Sequence, residues 1–166
     1  MRKFLGLVGV VALLAACETA PNDGATATGT GDANAAAQKL GPAAGTAQDF
    51  VVNVGDRVFF GFDQYSISAD ARSTLEKQAM WLKKYPSATI VLEGHADERG
   101  TREYNLALGE RRANAAKEYL VSLGVDGMRV KTISYGKERP VALGHNEAAW
   151  AQNRRAVTVV AVGAGS

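Results

Sequence analysis

Cysteine is nearly absent from the 166-residue sequence, which contains a single one, at position 17. A lone cysteine excludes a disulfide framework and a cysteine-rich metal site. An excess of charge of one sign is also lacking, because 19 Lys and Arg stand against 17 Asp and Glu, which argues against nucleic-acid binding. No apolar run reaches the roughly 20 residues that a membrane-spanning helix needs. With 46% apolar and 22% charged residues, the composition is typical of a globular protein with one domain of ordinary size.

The first 16 residues have the composition of a secretory signal. Two basic residues are followed by an uncharged apolar run, residues 4–16, which is too short for a mature membrane span and fits the core of a signal peptide. Residues 14–17, Leu-Ala-Ala-Cys, resemble the bacterial lipobox, in which the cysteine is acylated and becomes the first residue of the mature protein. The alternative is a plain signal peptide with an incidental cysteine. Because the only cysteine stands where lipidation requires it, we predict a signal peptide at 1–16 and a lipid on Cys17.

The next segment, residues 17–49, is predicted to be a lipid-anchored flexible linker. Of the 31 residues at positions 18–48, 22 are Ala, Gly, Thr or Pro, and Leu40 is the only large aliphatic side chain. Such a segment buries too little apolar area to offset its conformational entropy. It is either a tether for an anchored domain or a tolerated low-complexity spacer, and we favour the tether. The folded domain is predicted to comprise residues 50–166.

Strand and helix patterns alternate through this domain. The predicted elements are a strand at 57–62, a helix at 69–85, a strand at 88–92, a helix at 101–124, a strand at 128–135, a short helix at 147–152 and a strand at 156–162. Ser68 is the expected N-cap of the first helix, and Gly124 is the expected glycine after the second. The run at 88–92 is apolar on successive positions, which predicts a strand covered on both faces. The order predicts an α+β fold, a βαβαββ mixed sheet with two main helices packed on one face.

The densest set of polar side chains, residues 94–113, runs from the end of a predicted strand into the following helix. Ligands often bind where a strand end leads into a helix N-terminus. Asp97 lies in this turn, and Arg112 lies about three turns into the helix, on a face that borders the buried stripe. A carboxylate and a guanidinium at one mouth can hold a zwitterion, with the ammonium on Asp97 and the carboxylate on Arg112. A solvent-facing mouth predicts that either side chain can be replaced without unfolding the protein.

Several sequence blocks resemble the OmpA-like peptidoglycan-binding domain family. The blocks are Phe59-x-x-Phe62-Asp63, GHADERG at 94–100, YN at 104–105, LGERRAN at 108–114, SYGKERP at 134–140 and NRRA at 153–156. The resemblance covers about residues 50–163. It implies non-covalent binding to the diaminopimelate side chain of peptidoglycan stem peptides. By this resemblance, the binding residues fall on Asp97, Arg112, Asn105, Leu108, Asp63 and Phe62.

Together with the lipobox and the linker, the same blocks resemble the lipid-anchored members of this family in the Tol–Pal system. The resemblance implies a lipoprotein on the periplasmic face of the outer membrane of a Gram-negative bacterium, held there by its N-terminal lipid. The implied partners are the peptidoglycan stem peptide, a TolB-like propeller protein and a TolA-like periplasmic protein, with no nucleic acid, cofactor or metal. The implied role is to link the outer membrane to the cell wall, for envelope integrity and for constriction during cell division.

Other interpretations of the same residues stay open. Asp97 could cap the following helix, and Arg112 could be a structural ion-pair residue. Arg111, Arg154 and Arg155 are expected to be structural or to face a partner. A pure adaptor that binds only proteins of the Tol system would use the same surface.

A hydrolase acting on the same polymer is the alternative from a different class. A glycosidase needs two carboxylates roughly 5–9.5 Å apart across a cleft, and the sequence neighbours Asp97 and Glu98 are a poor pair. The spacing of His95 and Asp97 could suggest a metal, but the second histidine, His145, is distant in sequence. A stator component with the same domain would need a membrane-spanning helix. We therefore expect a binding protein and not an enzyme.

Overall fold

Four strands and two long helices make up most of residues 41–161, the part of the chain that this computed structural model describes. In chain order, the elements are α1 (Ala47–Asp49), which continues as a π-helical turn (Phe50–Val54), β1 (Arg57–Phe59), α2 (Ala69–Lys84), β2 (Thr89–His95), α3 (Arg102–Ser122), a 3₁₀ turn (Gly127–Arg129), β3 (Val130–Gly136), α4 (Glu147–Asn153) and β4 (Arg155–Ala161). The predicted signal peptide at 1–16 and the predicted lipid site at Cys17 lie outside these residues. Within 41–161, none of the helices has the length and hydropathy to cross a membrane.

The strands form one mixed sheet in the order β1-β4-β2-β3. β4 pairs antiparallel with both β1 and β2, whereas β2 and β3 are parallel. The parallel pair requires a crossover connection, and α3 supplies it. Apolar side chains of α2 and α3 share one core cluster with Val58 of β1, Ile90 and Leu92 of β2 and Ala156 of β4. The predicted α+β mixed sheet with two main helices is confirmed.

The long helices begin and end at residues that the sequence marks. The Ser68 hydroxyl accepts a hydrogen bond from the Ala71 amide, and the Thr101 hydroxyl accepts one from the Tyr104 amide, each at 3.2 Å. At the other end of α3, Gly124 has a φ of +91°, and the amides of this residue and the next bond back to carbonyls of the last turn. This pattern is a Schellman motif, which needs a residue that tolerates positive φ.

The backbones of α3 and β2 are in direct contact at Gly94 and Gly109. A Cβ atom added to Gly94 would lie 1.8 Å from the carbonyl oxygen of Gly109, and one added to Gly109 would lie 2.3 Å from the Ser134 hydroxyl. The Ser134 hydroxyl donates to the carbonyl of Leu106 at 2.7 Å, which ties β3 to the same helix. Glycine is required at both positions, and the contact fixes the first turns of α3 over the end of β2.

The prediction that the strand at 88–92 is covered on both faces is wrong. Ile90 and Leu92 are buried against the helices, with 1% and 0% exposed. Val91 and Glu93, which point to the opposite face, are only half-buried. The successive apolar residues reflect the central place of β2, which pairs along both edges, and not a second covering layer.

Residues 45–49, which the sequence assigns to the linker, belong to the folded unit. The carboxylate of Asp49 accepts hydrogen bonds from the Trp81 indole at 2.8 Å, from the Asn53 amide group at 2.8 Å and from a backbone amide of the preceding turn. Phe50 is completely buried and meets Trp81 edge-on, with 5.0 Å between ring centroids. The predicted boundary between 49 and 50 therefore falls a few residues too late.

Candidate binding site

A cavity of about 180 Å³ opens where β2 leads into α3. Its lining consists of Phe62, Asp63, Asp97, Arg99, Gly100, Tyr104, Asn105, Leu108 and Arg112. All six side chains that the sequence predicts as binding residues belong to this set. They come from the loop after β1, the turn after β2 and the first three turns of α3, so the fold brings three separate segments to one place.

Arg112 lies at the base of the cavity and is completely buried. Its guanidinium donates to the backbone carbonyls of Gln64 at 2.8 Å, His95 at 2.7 Å and Gly61 at 3.1 Å. A guanidinium has five N–H donors, so about two have no acceptor within the described residues. Burial lowers the pKa of Arg112 to about 10, which leaves the group charged at neutral pH.

The prediction that Arg112 lies at a solvent-facing mouth is wrong. Its three carbonyl partners belong to the loop after β1 and to the end of β2, so the guanidinium holds two walls of the cavity together. Arg112 does have a structural role, but through carbonyl oxygens and not through an ion pair. Its replacement is therefore expected to disturb the fold as well as the site.

Asp97 lies in the turn after β2 with 5% of its surface exposed, so it too is buried and not at an open mouth. One carboxylate oxygen accepts from the backbone amide and the Nε of Arg99, and the other accepts from Arg99 Nη2 at 2.6 Å and Arg154 Nη1 at 3.4 Å. Burial by itself raises the pKa of Asp97, but the hydrogen bonds from Arg99 outweigh it and lower the pKa below its ordinary value. Asp97 does not cap α3, because Thr101 does.

Phe62, Asp63 and Tyr104 form the exposed rim. The Tyr104 hydroxyl donates to the Asp63 carboxylate, which raises the pKa of Tyr104. Asp63 has a φ of +55°, in the left-handed region that only a few side chains enter readily. Phe62 is 61% exposed, so it offers an uncovered apolar surface at the entrance. The rim therefore combines one accessible carboxylate with aromatic faces.

Asn105 and Leu108 lie on the helical side of the cavity and are both buried. The Asn105 amide group donates to the carbonyls of Arg99 at 2.8 Å and Thr101 at 3.1 Å. Asn105 thus holds the turn between β2 and α3 in shape. Leu108 supplies an apolar patch beside Arg112, suited to the methylene groups of a ligand.

Sequence reasoning missed Arg99. Its guanidinium pairs with Asp97 and lies between two aromatic rings, 4.1 Å from the centroid of Phe62 and 4.0 Å from that of Trp150. An arginine two residues after a buried acid in a tight turn was the available signal. The two rings belong to other segments of the chain, so no local sequence pattern predicts their contact with Arg99.

The other arginines divide between the core and the surface. Arg154 and Arg155 are buried, with 6% and 4% exposed. Arg154 pairs with Asp97 and Glu147, while Arg155 donates to two backbone carbonyls. Arg111 is exposed, 5.6 Å from the ring centroid of Tyr65 and 5.9 Å from that of Tyr104. The expectation of structural roles therefore fits Arg154 and Arg155.

His95 lies on the opposite face of β2 and is 2% exposed. Neither ring nitrogen has a hydrogen-bond partner among residues 41–161, although the backbone carbonyl of His95 accepts from Arg112. Burial, with the nearby charges of Arg155 and Arg139, lowers the pKa of His95 to about 4. The ring is therefore neutral at physiological pH, directly behind the cavity.

Relatives with high sequence identity are lipoproteins of other bacteria. The peptidoglycan-associated lipoprotein of Rhizobium meliloti is 66% identical over 122 residues, which cover 74% of this chain and 69% of that protein. The peptidoglycan-associated lipoprotein of Mesorhizobium japonicum is 56% identical over 164 residues, which cover 96% and 93%. Similarity therefore extends beyond the described residues.

Solved structures agree with the fold. The crystal structure of the peptidoglycan-associated lipoprotein from Burkholderia pseudomallei is 49% identical and aligns with a TM-score of 0.63 over 64% of this chain and 90% of that one. The C-terminal domain of Helicobacter pylori MotB, at 22% identity and a TM-score of 0.61, shares the fold alone. The model of the OmpA family matches residues 59–154. The chain therefore belongs to the OmpA family, in the branch formed by the peptidoglycan-associated lipoproteins.

Proposed function

We propose that the protein is an outer-membrane lipoprotein that binds peptidoglycan without covalent attachment. Its ligand is the free end of diaminopimelate in the stem peptide, where one carbon carries both an ammonium and a carboxylate. The observation that carries the proposal is the cavity itself, in which a buried guanidinium with unused N–H groups lies below two carboxylates. The names of the relatives support the same class of ligand.

The cavity offers a complementary group for each part of such a ligand. Arg112 donates its remaining N–H groups to the carboxylate, and its burial strengthens this contact because water does not compete there. The ammonium is paired with Asp97 or Asp63. Leu108 and Phe62 contact the methylene chain that joins the two ends of diaminopimelate.

The charge state of the neighbouring acids Asp97 and Glu98 supports a binding protein and not a hydrolase. Hydrogen bonds from Arg99 keep the pKa of Asp97 below its ordinary value, and hydrogen bonds from His145 and Trp150 do the same for Glu98. A glycoside hydrolase needs one carboxylic acid that keeps its proton near neutral pH. Two ionised carboxylates can attract a cation but cannot supply that proton.

We further propose that lipidation of Cys17 and a linker beginning there hold the domain to the outer membrane. The word lipoprotein in the relatives' names and the lipobox at residues 14–17 support this anchoring. In this role the protein works within the Tol–Pal system, with a TolB-like propeller and a TolA-like periplasmic protein as partners. Connecting membrane and wall in this way supports envelope integrity and constriction during cell division.

Sedimentation of the mature chain, residues 17–166, with purified sacculi tests the proposed ligand. Asp63→Asn removes the exposed rim carboxylate, whose one side-chain partner in the described part of the chain is the Tyr104 hydroxyl, and should weaken binding about 10-fold. The matched control is Glu118→Gln, which removes the same charge from an exposed site on α3 outside the cavity. Equal binding by both variants and the parent would exclude Asp63 as a contact of the ligand.

Calorimetry with muropeptides tests the chemistry of the ligand. A muropeptide whose free diaminopimelate carboxylate is amidated should bind about 10-fold more weakly than the unmodified one, because a neutral amide loses the charge-assisted contact with Arg112. If the parent protein binds both forms equally, Arg112 does not recognise the carboxylate. If it binds neither, the proposed function is incorrect.

A further inference from the structure

The carboxylate that should receive the ligand's ammonium is already saturated. Asp97 accepts four hydrogen bonds, three from Arg99 and one from Arg154. A carboxylate has about four lone-pair sites, so Asp97 has no free acceptor position. A ligand ammonium can therefore reach Asp97 only if one of the two arginines withdraws.

Of the two arginines, Arg99 is the one that can leave. The Arg154 side chain is 7% exposed, and it is also held by the Phe60 carbonyl at 3.0 Å and by Glu147 at 2.6 Å. The Arg99 side chain is 31% exposed, and its contacts beyond Asp97 are the faces of two rings and a distant carboxylate oxygen of Glu147 at 3.9 Å. Side-chain rotation alone would move the Arg99 guanidinium into solvent.

We propose that Arg99 is a displaceable internal cation, which occupies the ammonium position of the empty cavity and gives it up to a ligand that brings a cation of its own. This inference rests on the proposed function. The Phe62 and Trp150 rings hold the guanidinium over Asp97 through cation–π contacts when no ligand is bound. A ligand with an ammonium replaces one ion pair by another, so Asp97 is never left buried and unpaired.

The exchange predicts different behaviour for two ligands that differ only at the amine. A free amine competes with Arg99 for Asp97, so part of its binding free energy is lost in breaking the internal pair. An N-acetylated amine cannot pair with Asp97, so Arg99 stays in place when this ligand binds. Replacing Arg99 should therefore not raise the affinity for the acetylated ligand. Arg99 therefore lowers affinity for the proper ligand while keeping the empty carboxylate satisfied.

The test is calorimetry on Arg99→Met with a muropeptide whose diaminopimelate amine is free and with the same muropeptide N-acetylated there. Methionine keeps most of the apolar volume of the side chain but not its charge. The free-amine ligand should bind Arg99→Met about 5-fold more tightly than it binds the parent, because a partly exposed ion pair of about this strength no longer has to be broken. The acetylated ligand should bind both proteins equally. The matched control is Arg102→Met, which removes a cation paired with Glu138 outside the cavity.

A second variant removes one ring and leaves the arginine. Trp150→Leu loosens the hold on Arg99 and should raise affinity for the free-amine ligand about 2-fold, which also keeps the test valid if Arg99→Met fails to fold. The exchange would be overturned if the parent binds the free-amine ligand and these variants bind it equally well or more weakly. Equal binding would mean that Arg99 plays no part in binding, and weaker binding would mean that it contacts the ligand carboxylate directly. Absence of binding by the parent would instead refute the proposed function, and the exchange with it.

Discussion

Replacing Arg112 by methionine should cost the protein a large part of its stability. Methionine fills much of the same volume, so the change mainly removes the donors to the carbonyls of Gly61, Gln64 and His95. Gly61 and Gln64 are exposed residues whose carbonyls can turn to water, whereas His95 is buried and its carbonyl loses a charged donor. A buried acceptor that loses a charged donor costs about 1.5–3 kcal/mol, and each of the other two costs about 0.5–1 kcal/mol.

These costs are partly offset, because the parent protein must keep a charged group away from water. That burial is the reason the pKa of Arg112 is lowered to about 10. The net loss in the free energy of unfolding should be about 3 kcal/mol, from a total of roughly 5–15 kcal/mol for a domain of this kind. In a thermal melt this corresponds to a fall of about 10 °C.

The assay is urea unfolding of residues 17–166, followed by circular dichroism, with Arg111→Met as the matched control. Arg111 is the next residue on α3, carries the same charge and is exposed, so its replacement should change stability by less than about 0.5 kcal/mol. If Arg112→Met and Arg111→Met are equally stable, the three carbonyl contacts contribute nothing to stability, and Arg112 does not hold the cavity walls together. Any loss of ligand binding by an Arg112 variant has to be corrected for the unfolded fraction.

Three further outcomes are expected. The pKa of His95 is about 4 in the folded protein and near 6.5 in the unfolded chain. The free energy of unfolding should therefore be fully retained above pH 6.5 and fall by up to about 3 kcal/mol as the pH drops to 4. His95→Leu should flatten this pH dependence in unfolding curves. A chain that starts at Phe50 lacks Asp49 and should lose about 2 kcal/mol in urea unfolding relative to one that starts at Gly41. Cys17→Ala should remain an unlipidated precursor, as measured by acyl labelling and outer-membrane fractionation.

Each of these expectations has an opposite result that would contradict it. A pH dependence that persists in His95→Leu would mean that other groups titrate in that range. Equal stability of the chains starting at Phe50 and Gly41 would mean that the Asp49 contacts are dispensable and that the boundary predicted from sequence is adequate. Unchanged labelling of Cys17→Ala would mean that the lipobox assignment is incorrect.

The helices and strands could be predicted because their signals are local. Ser68 and Gly124 mark helix ends through hydrogen bonds within four or five residues, and the structure has both where they were expected. The N-terminal segment could not be predicted in this way. Residues 45–49 are small or polar, and they are ordered through the bond from Trp81 to Asp49, which spans 32 positions of sequence.

The sequence could predict which residues meet at the cavity, but not the environment of their side chains. Family blocks located six of the nine residues that line the cavity, yet the burial of Arg112 depends on carbonyls 48 and 51 residues earlier in the chain. A helical repeat can assign a side chain to the border of a buried stripe, but it cannot reveal the loop that covers it. Arg99 was missed for the same reason, since its role depends on rings from two other segments.

The Asp49 contacts also determine how the folded unit would respond to tension from its N-terminal side. β1 follows them and is an edge strand with only three residue pairs to β4, an arrangement that opens one pair at a time when pulled from its end. The force meets α1 first, where the Asp49 carboxylate is bonded to three groups and Phe50 is locked against Trp81. Tension from this side would therefore have to break the contacts of Asp49 and Phe50 before it reached the edge strand.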